Sequence, residues 1–359
     1  MAHRTSIPVG KHATPRLGAV EPDAARPVPL VLVLRDGQVE SVHLGHIAMV
    51  DVSGRILAHA GEPRVFVFPR SSFKPFQALP LVESGAFDRS GLPLEALALI
   101  AGSHSGTDAH AALALRILDA AGTDESALRC GAHPPYDEAT AATLRSRGEE
   151  PGSLRHNCSG KHAGMLLFAR ALGAPLEGYL DTDHPVQRAI FERFAELVDE
   201  PIGPPAIDGC SAPTPRMPLA TLARAFALLA AGVDAAGRPV PALVAIRDAM
   251  RHHPVQVAGE GRWDTRLMQA VPGLIAKAGA EAVHSTGVVE TRTGIAVKVA
   301  DGARRALEPA VLSALVAAGI IPPEARRALE PAGSDRITNH AGLEVGAIRG
   351  VARLVREAT

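Results

Sequence analysis

A serine three residues before a lysine, Ser71 and Lys74 in PRSSFKPFQ (69–77), offers a nucleophile and a base on one face of a helix. Ser72 is only two residues from Lys74 and faces elsewhere. Pro75 lacks the N–H that an interior helical position needs, so a helix here must begin near Ser71 or Ser72. Ser71 then sits at the positive end of the helix dipole, where an alkoxide-like oxygen is least unfavourable. Pro80 should kink or end that helix within two turns. On its own, S-x-x-K reads more often as a capped helix start with a solvated lysine. Burial would make it catalytic, by pushing the amine toward the neutral form that can take a serine proton.

Three further clusters carry reactive side chains. AGSHSGTDAH (101–110) crowds Ser103, His104, Ser105, Thr107 and Asp108 where an apolar segment ends and a helix begins. Thr107 or Asp108 as helix cap explains it as well as a Ser-His pair does. In RHNCSGKHAGML (155–166), Cys158, Lys161 and His162 fall at i, i+3 and i+4, and IDGCSAPTP (207–215) adds Asp208 and Cys210. Two cysteines and a histidine could hold zinc, but the spacing fits no common zinc motif, and the residues alone read as core thiols. Cys130 reads as structural. Lys277, in AKAGAEAV, taken alone is an exposed strand lysine.

The elements that must position these groups are legible in outline. From Val28, apolar segments broken at Asp36-Gly37 and Ser53-Gly54 read as two or three antiparallel strands, and VFVF (65–68) as a short one. Helical periodicity runs over 109–122, 162–173 and 218–232, each ending at or near a glycine. Residues 273–283, 286–294 and 294–302 alternate like strands again. Strands at both ends with helices between predict an α+β domain over residues 28–359 whose terminal strands share one antiparallel sheet. Residues 1–27 read as a loose tail without the apolar core of an export signal.

Composition bounds the chemistry. The 359 residues are 47% hydrophobic and 21% charged, enough for a sizeable core. Thirty-seven Lys and Arg against 38 Asp and Glu leave a formal charge of −1, and aromatics are 3%, so neither a field for nucleic acid nor a base-stacking platform is offered. No run approaches the roughly 18 apolar residues of a membrane span. Three widely spaced cysteines argue against a disulfide framework and for a reducing, cytoplasmic setting. The expected partner is a small molecule.

Taken in order, RSSFKPFQALPL, AGSHSG, CGAHPPYD, HNCSGKHAGML, DHPVQ, DGCSAPTP, KAGAE and GIAVKVADG resemble the blocks of the Rhizobium-type, thermolabile L-asparaginases, from about Val28 to the NHAGLEVGAIRG of residues 339–350. The resemblance implies an amidohydrolase similar in fold to serine β-lactamases and glutaminases, with a central antiparallel sheet flanked by helices, usually homodimeric. It implies that L-asparagine is hydrolysed to aspartate and ammonia, with serine-lysine pairs at Ser71 with Lys74 and Ser103 with Lys277. Zinc would be held by Cys158, Lys161 and Cys210. Arg70, His104, Asp208 and His162 would be substrate-binding neighbours. The pattern is departed from at Thr107, where an acidic residue commonly follows SHSG, and at Ala282, where glycine is usual. The alternatives are a zinc-dependent amidase or glutaminase and a non-catalytic amino-acid sensor on the same fold. A penicillin-recognising acyl transferase would share S-x-x-K, but the chain lacks Ser-Asp-Asn.

Overall fold

The computed structural model describes residues 25–330 and 336–357. Most of the expected tail therefore lies outside the described residues. The strands of the main sheet are β1 (Val28–Arg35), β2 (Gln38–Asp51), β3 (Ile56–Ala60), β4 (Leu274–Gly279), β5 (Val283–Val288), β6 (Thr293–Val299), β7 (Arg336–Thr338), β8 (Glu344–Gly350) and β9 (Val355–Arg356). Their order is β7-β8-β1-β2-β6-β5-β4, all antiparallel, with β3 paired to both β2 and β9. The terminal strands do share one sheet: Val33 of β1 lies opposite Ile348 of β8.

Local chemistry explains the first hairpin. Asp36 and Gly37 both take left-handed backbone angles (φ 46° and 75°) between the paired residues Arg35 and Gln38, the two-residue turn that suits the strand twist. The hairpin between β4 and β5 contains Ala282 at φ 51°. A glycine there would be free of the penalty that a side chain meets in this region, about 1–2 kcal/mol.

The helices that frame the site are α1 (Lys74–Gln77), preceded by the 3₁₀ turn Arg70–Phe73, α2 (Leu94–Ile100), α3 (Asp108–Ala120), α4 (Ser159–Ala171), α5 (Leu219–Ala231) and α6 (Trp263–Ala270). Pro80 acts as its chemistry requires, for α1 stops at Gln77 and a separate short helix runs Leu79–Glu83. Helix α5 is apolar nearly all round and ends at Gly232 in the left-handed conformation. It lies against β6 and β5, so close that a Cβ on Gly294 would land on the Ala223 carbonyl. Every residue of β5 is buried, so the sheet is covered on both faces there, as successive side chains point opposite ways. The fold is α+β, a central antiparallel sheet flanked by helices. The periodicity over 286–294 misplaced a strand, because the observed β5 ends at Val288 and a turn follows.

One close approach brings the reactive loops together. A Cβ on Gly160, in the first turn of α4, would stand 2.7 Å from both the carbonyl oxygen and Cγ of Leu99 in α2. The missing side chain lets the start of α4, with Cys158 and Lys161, abut the end of α2, from which the Ser103 loop departs. Gly160→Ala should therefore destabilise the protein by about 1–2 kcal/mol, as overpacking does. Helix propensity alone would stabilise it by about 1 kcal/mol, so the sign read from urea unfolding separates the two effects.

Candidate active site

Lys74 is buried, 1% exposed. Its Nζ donates to the Gly102 carbonyl at 2.7 Å and the Asn157 carbonyl at 3.2 Å, and lies 2.8 Å from Ser103 Oγ. The partner of this amine is thus Ser103, whereas i, i+3 spacing pointed to Ser71. The physical reason is reach: a four-carbon stem turns the amine away from its own helix toward acceptors supplied by two other chain segments. Burial pushes the Lys74 amine below its ordinary value, the Cys158 sulfur opposes this, and the Lys161 charge adds to it.

Ser71 is half-buried, and neither its hydroxyl nor its N–H makes a hydrogen bond among the described residues. The residue before it, Arg70, takes φ 51°, a left-handed conformation costing an arginine roughly 1–2 kcal/mol. Arg70 Nε donates to Asp208 Oδ1 at 2.6 Å, which ties this strained turn to the loop that carries Cys210. Asp208 Oδ1 also accepts the Gly209 N–H at 2.7 Å. Behind the turn, Ser72 Oγ donates to the Lys277 carbonyl at 2.8 Å, fastening it to β4.

Lys277 corrects the exposed-lysine reading: it is 0% exposed, because β4 is covered by α6 and the serine turn. It shares no hydrogen bond with Ser103 among the described residues. Its Nζ donates to the Ala278 carbonyl at 2.8 Å and lies 3.7 Å from Asp264 Oδ2. Burial lowers the amine to about 8, against the pull of Asp264.

The thiols form a second buried group. Lys161 Nζ donates to Cys210 Sγ at 2.9 Å. The hydrogen bond between the two sulfurs holds Cys210 far below its ordinary thiol value and lifts Cys158 above it; burial opposes the first shift and adds to the second. Burial alone would lower Lys161, but the sulfurs of Cys210 and Cys158 more than offset it and raise the amine. Cys210 and Lys161 therefore stand as thiolate and ammonium. His162 Nδ1 lies 2.6 Å from Tyr179 Oη, while its Nε2 is buried without a hydrogen bond. Burial pushes this ring down to about 4 against the pull of the Cys210 sulfur.

Among the described residues no three His, Cys, Asp or Glu side chains are grouped to hold a metal. A metal here would need Lys161 as the third donor beside Cys158 and Cys210. The donor chemistry fits zinc, which takes thiolate sulfur and nitrogen in fours, and the buried His162 ring lies at the same cluster, beside the Cys210 sulfur.

His104 is held elsewhere. Ser159 Oγ donates to the Leu154 carbonyl, so at 2.9 Å it must accept from His104 Nε2, and His104 Nδ1 accepts the Gly106 N–H at 3.2 Å. With both nitrogens engaged, this ring braces the 103–106 loop against α4. Thr107 caps α3, its hydroxyl accepting the His110 N–H. Cys130 is buried, its thiol pushed up to about 12 by burial and, after that, by the Cys210 sulfur.

The sequence reading missed Asp264, His284 and the backbone carbonyls of Gly102 and Asn157. The carbonyls left no signal in residue type. Asp264, one place after the only tryptophan and at the start of a helix, resembles an ordinary first-turn acid.

No curated protein matches the chain. In fold it is similar to Mglu in its native form, with 14% identity and a TM-score of 0.43 over 78% of this chain and 66% of that one. It is also similar to the Bacillus subtilis glutaminase YbgJ, crystallised as a covalent complex with 5-oxo-L-norleucine, with 14% identity and a TM-score of 0.34 over 71% of this chain and 79% of that one. The chain spans less than two thirds of the length of the Mglu chains first compared with it. No helix among the described residues is long and apolar enough to cross a membrane. The family described as L-asparaginase II, Asparaginase_II, matches residues 31–350, nearly the whole of the described sheet and every cluster above, so the chain belongs to that family.

Proposed function

We propose that the chain hydrolyses the side-chain amide of L-asparagine through a serine ester, with Lys74 as the base. The observation that carries this reading is the set of groups around Lys74 Nζ. The carbonyls of Gly102 and Asn157 can only accept, so they take the two protons of a neutral amine. Its lone pair then faces the Ser103 hydroxyl, a donor 2.8 Å away, with the Cys158 thiol the other polar neighbour.

Ser71 is the proposed nucleophile, its hydroxyl and N–H both free among the described residues. Ser71 Oγ attacks the amide carbon, and its proton passes through Ser103 to Lys74. The Ser71 N–H meets the oxyanion, a contribution of about 3 kcal/mol per such donor in hydrolases. The C–N bond breaks as Lys74 returns the proton to the departing nitrogen, giving ammonia and a serine ester. Water hydrolyses the ester to aspartate, with Lys74 again taking a proton. Arg70 and Asp208 position the turn that presents Ser71. Cys158, Lys161 and Cys210 would hold zinc, which when bound supplies a fixed positive charge for the polar end of the substrate. Because thiolates and a neutral amine bind metal, loading must release protons.

The 2.8 Å contact between Lys74 and Ser103 also favours a second reading, direct attack by Ser103. One experiment tests both. Purified protein is assayed for ammonia with L-asparagine and L-glutamine, then treated with 6-diazo-5-oxo-L-norleucine or its one-carbon-shorter homologue and mapped by peptide mass spectrometry. The expected adduct is on Ser71, and Ser71→Ala should abolish both adduct and ammonia. An adduct on Ser103 would replace the first reading by the second, and no ammonia from either amide would end both.

A further inference from the structure

Behind Lys277 lies a buried acid that the chemistry above does not use. Asp264, in the first turn of α6, is 3% exposed, and His284 in β5 is fully buried. Asp264 Oδ2 accepts the Ala278 N–H at 2.8 Å and lies 3.7 Å from Lys277 Nζ; Oδ1 is 3.2 Å from His284 Nε2. The other ring nitrogen of His284 is 3.3 Å from Thr286 Oγ1. Lys277, in turn, donates to the carbonyl of the same Ala278. Carboxylate and peptide thus close a clamp around the amine.

We propose that Asp264 is a positioning residue that keeps Lys277 as a fixed ammonium at the serine turn, so that Lys277 supplies charge to the site and does not act as a second base. The proposal deepens the reading above and rests on it for the place of Lys277 in the site. The geometry separates the two lysines. Lys74 faces a hydroxyl that can donate to a neutral amine. The two groups paired with Lys277 Nζ, the Ala278 carbonyl and the Asp264 carboxylate, only accept, so an amine lone pair would meet no proton from them.

Taking ions out of water is costly, and the clamp offsets this for the acid. Burial alone would raise Asp264, but the hydrogen bond from His284 and the Lys277 charge overcome it and hold the carboxyl below the usual range. The other charged or titratable groups facing Lys277 are Lys74 and Arg262, which favour loss of its proton, and Cys158, which opposes it. Among these groups Asp264 is the strongest opponent of proton loss. The strand bearing Lys277 is tied to the reactive turn by Ser72, so a charge fixed here is fixed relative to Ser71.

The chain has five lysines, few enough for each side chain to be followed by NMR of ¹³Cε-labelled protein, with the Lys277 signal assigned by its absence in Lys277→Arg. The wild type should show Lys277 charged at pH 7 and titrating near pH 8, the value set by burial against Asp264. Because the carboxylate favours the charged form, Asp264→Asn should move that titration to lower pH by at least one unit, about tenfold in the proton equilibrium. The falling alkaline limb of kcat/KM should move with it. A purely structural acid would lower activity without moving the titration. A neutral Lys277 at pH 7 in the wild type, or an unmoved titration in Asp264→Asn, would overturn the proposal. The wild-type titration decides the matter if that variant does not fold. A protein that releases no ammonia yet shows the shift would sink the amidase reading and leave this one standing.

Discussion

Lys74→Met should lower kcat for asparagine hydrolysis by about 10³-fold, while the protein still unfolds in a single cooperative transition. General-base assistance is worth roughly 10²–10⁴-fold, and on the proposed mechanism Lys74 acts in both halves of the reaction. Methionine nearly fills the same volume, so the buried site loses its base without a large cavity. The Gly102 and Asn157 carbonyls lose a donor, a cost of about 1–3 kcal/mol for an unsatisfied buried group, but a lysine no longer has to give up its proton to be buried. The pH profile adds a second readout. A base must be neutral, so wild-type activity should fall as pH drops and Lys74 takes up its proton; the residual activity of the methionine variant should lack that acid limb. Steady-state kinetics across pH with thermal melting checks both. More than a tenth of wild-type kcat in the variant would remove Lys74 from the mechanism.

Cys210→Ala should cost about 3–5 kcal/mol of stability, and Cys210→Ala with Lys161→Met should recover most of it. Lys161 and Cys210 are a buried pair at 2.9 Å, and removing one member leaves the other as an uncompensated charge, which is what makes breaking such pairs expensive. Replacing both removes the charge and the need for its partner. The two single variants and the double variant form a thermodynamic cycle, measured by urea unfolding in the presence of chelator so that metal does not enter. Metal content of the proteins purified without chelator should fall in both single variants, since each removes one of the three proposed donors. Near-additive costs in the cycle would show that the pair is not coupled as drawn.

The parts of this protein that rest on neighbours in the chain were readable from residue types. The Asp36-Gly37 hairpin, the left-handed end of α5 at Gly232, the Thr107 cap of α3 and the break at Pro80 each follow from interactions within a few residues. The ordered blocks from RSSFKPFQ to GIAVKVADG carried the family, and the order of apolar segments carried the shared terminal sheet.

What tertiary structure decided was which groups meet. Spacing put Ser71 and Lys74 on one helical face, but backbone carbonyls from residues 102 and 157 and the hydroxyl of Ser103 drew the amine to them. Lys277 looked like a solvated strand residue until α6 and the serine turn covered it and Asp264 arrived beside it. A side chain's charge state depends on burial and on partners brought from tens or hundreds of residues away, and neither is a property of its own segment. Residue types determined which chemistries were available; packing chose the partner, the exposure and the protonation state of each group.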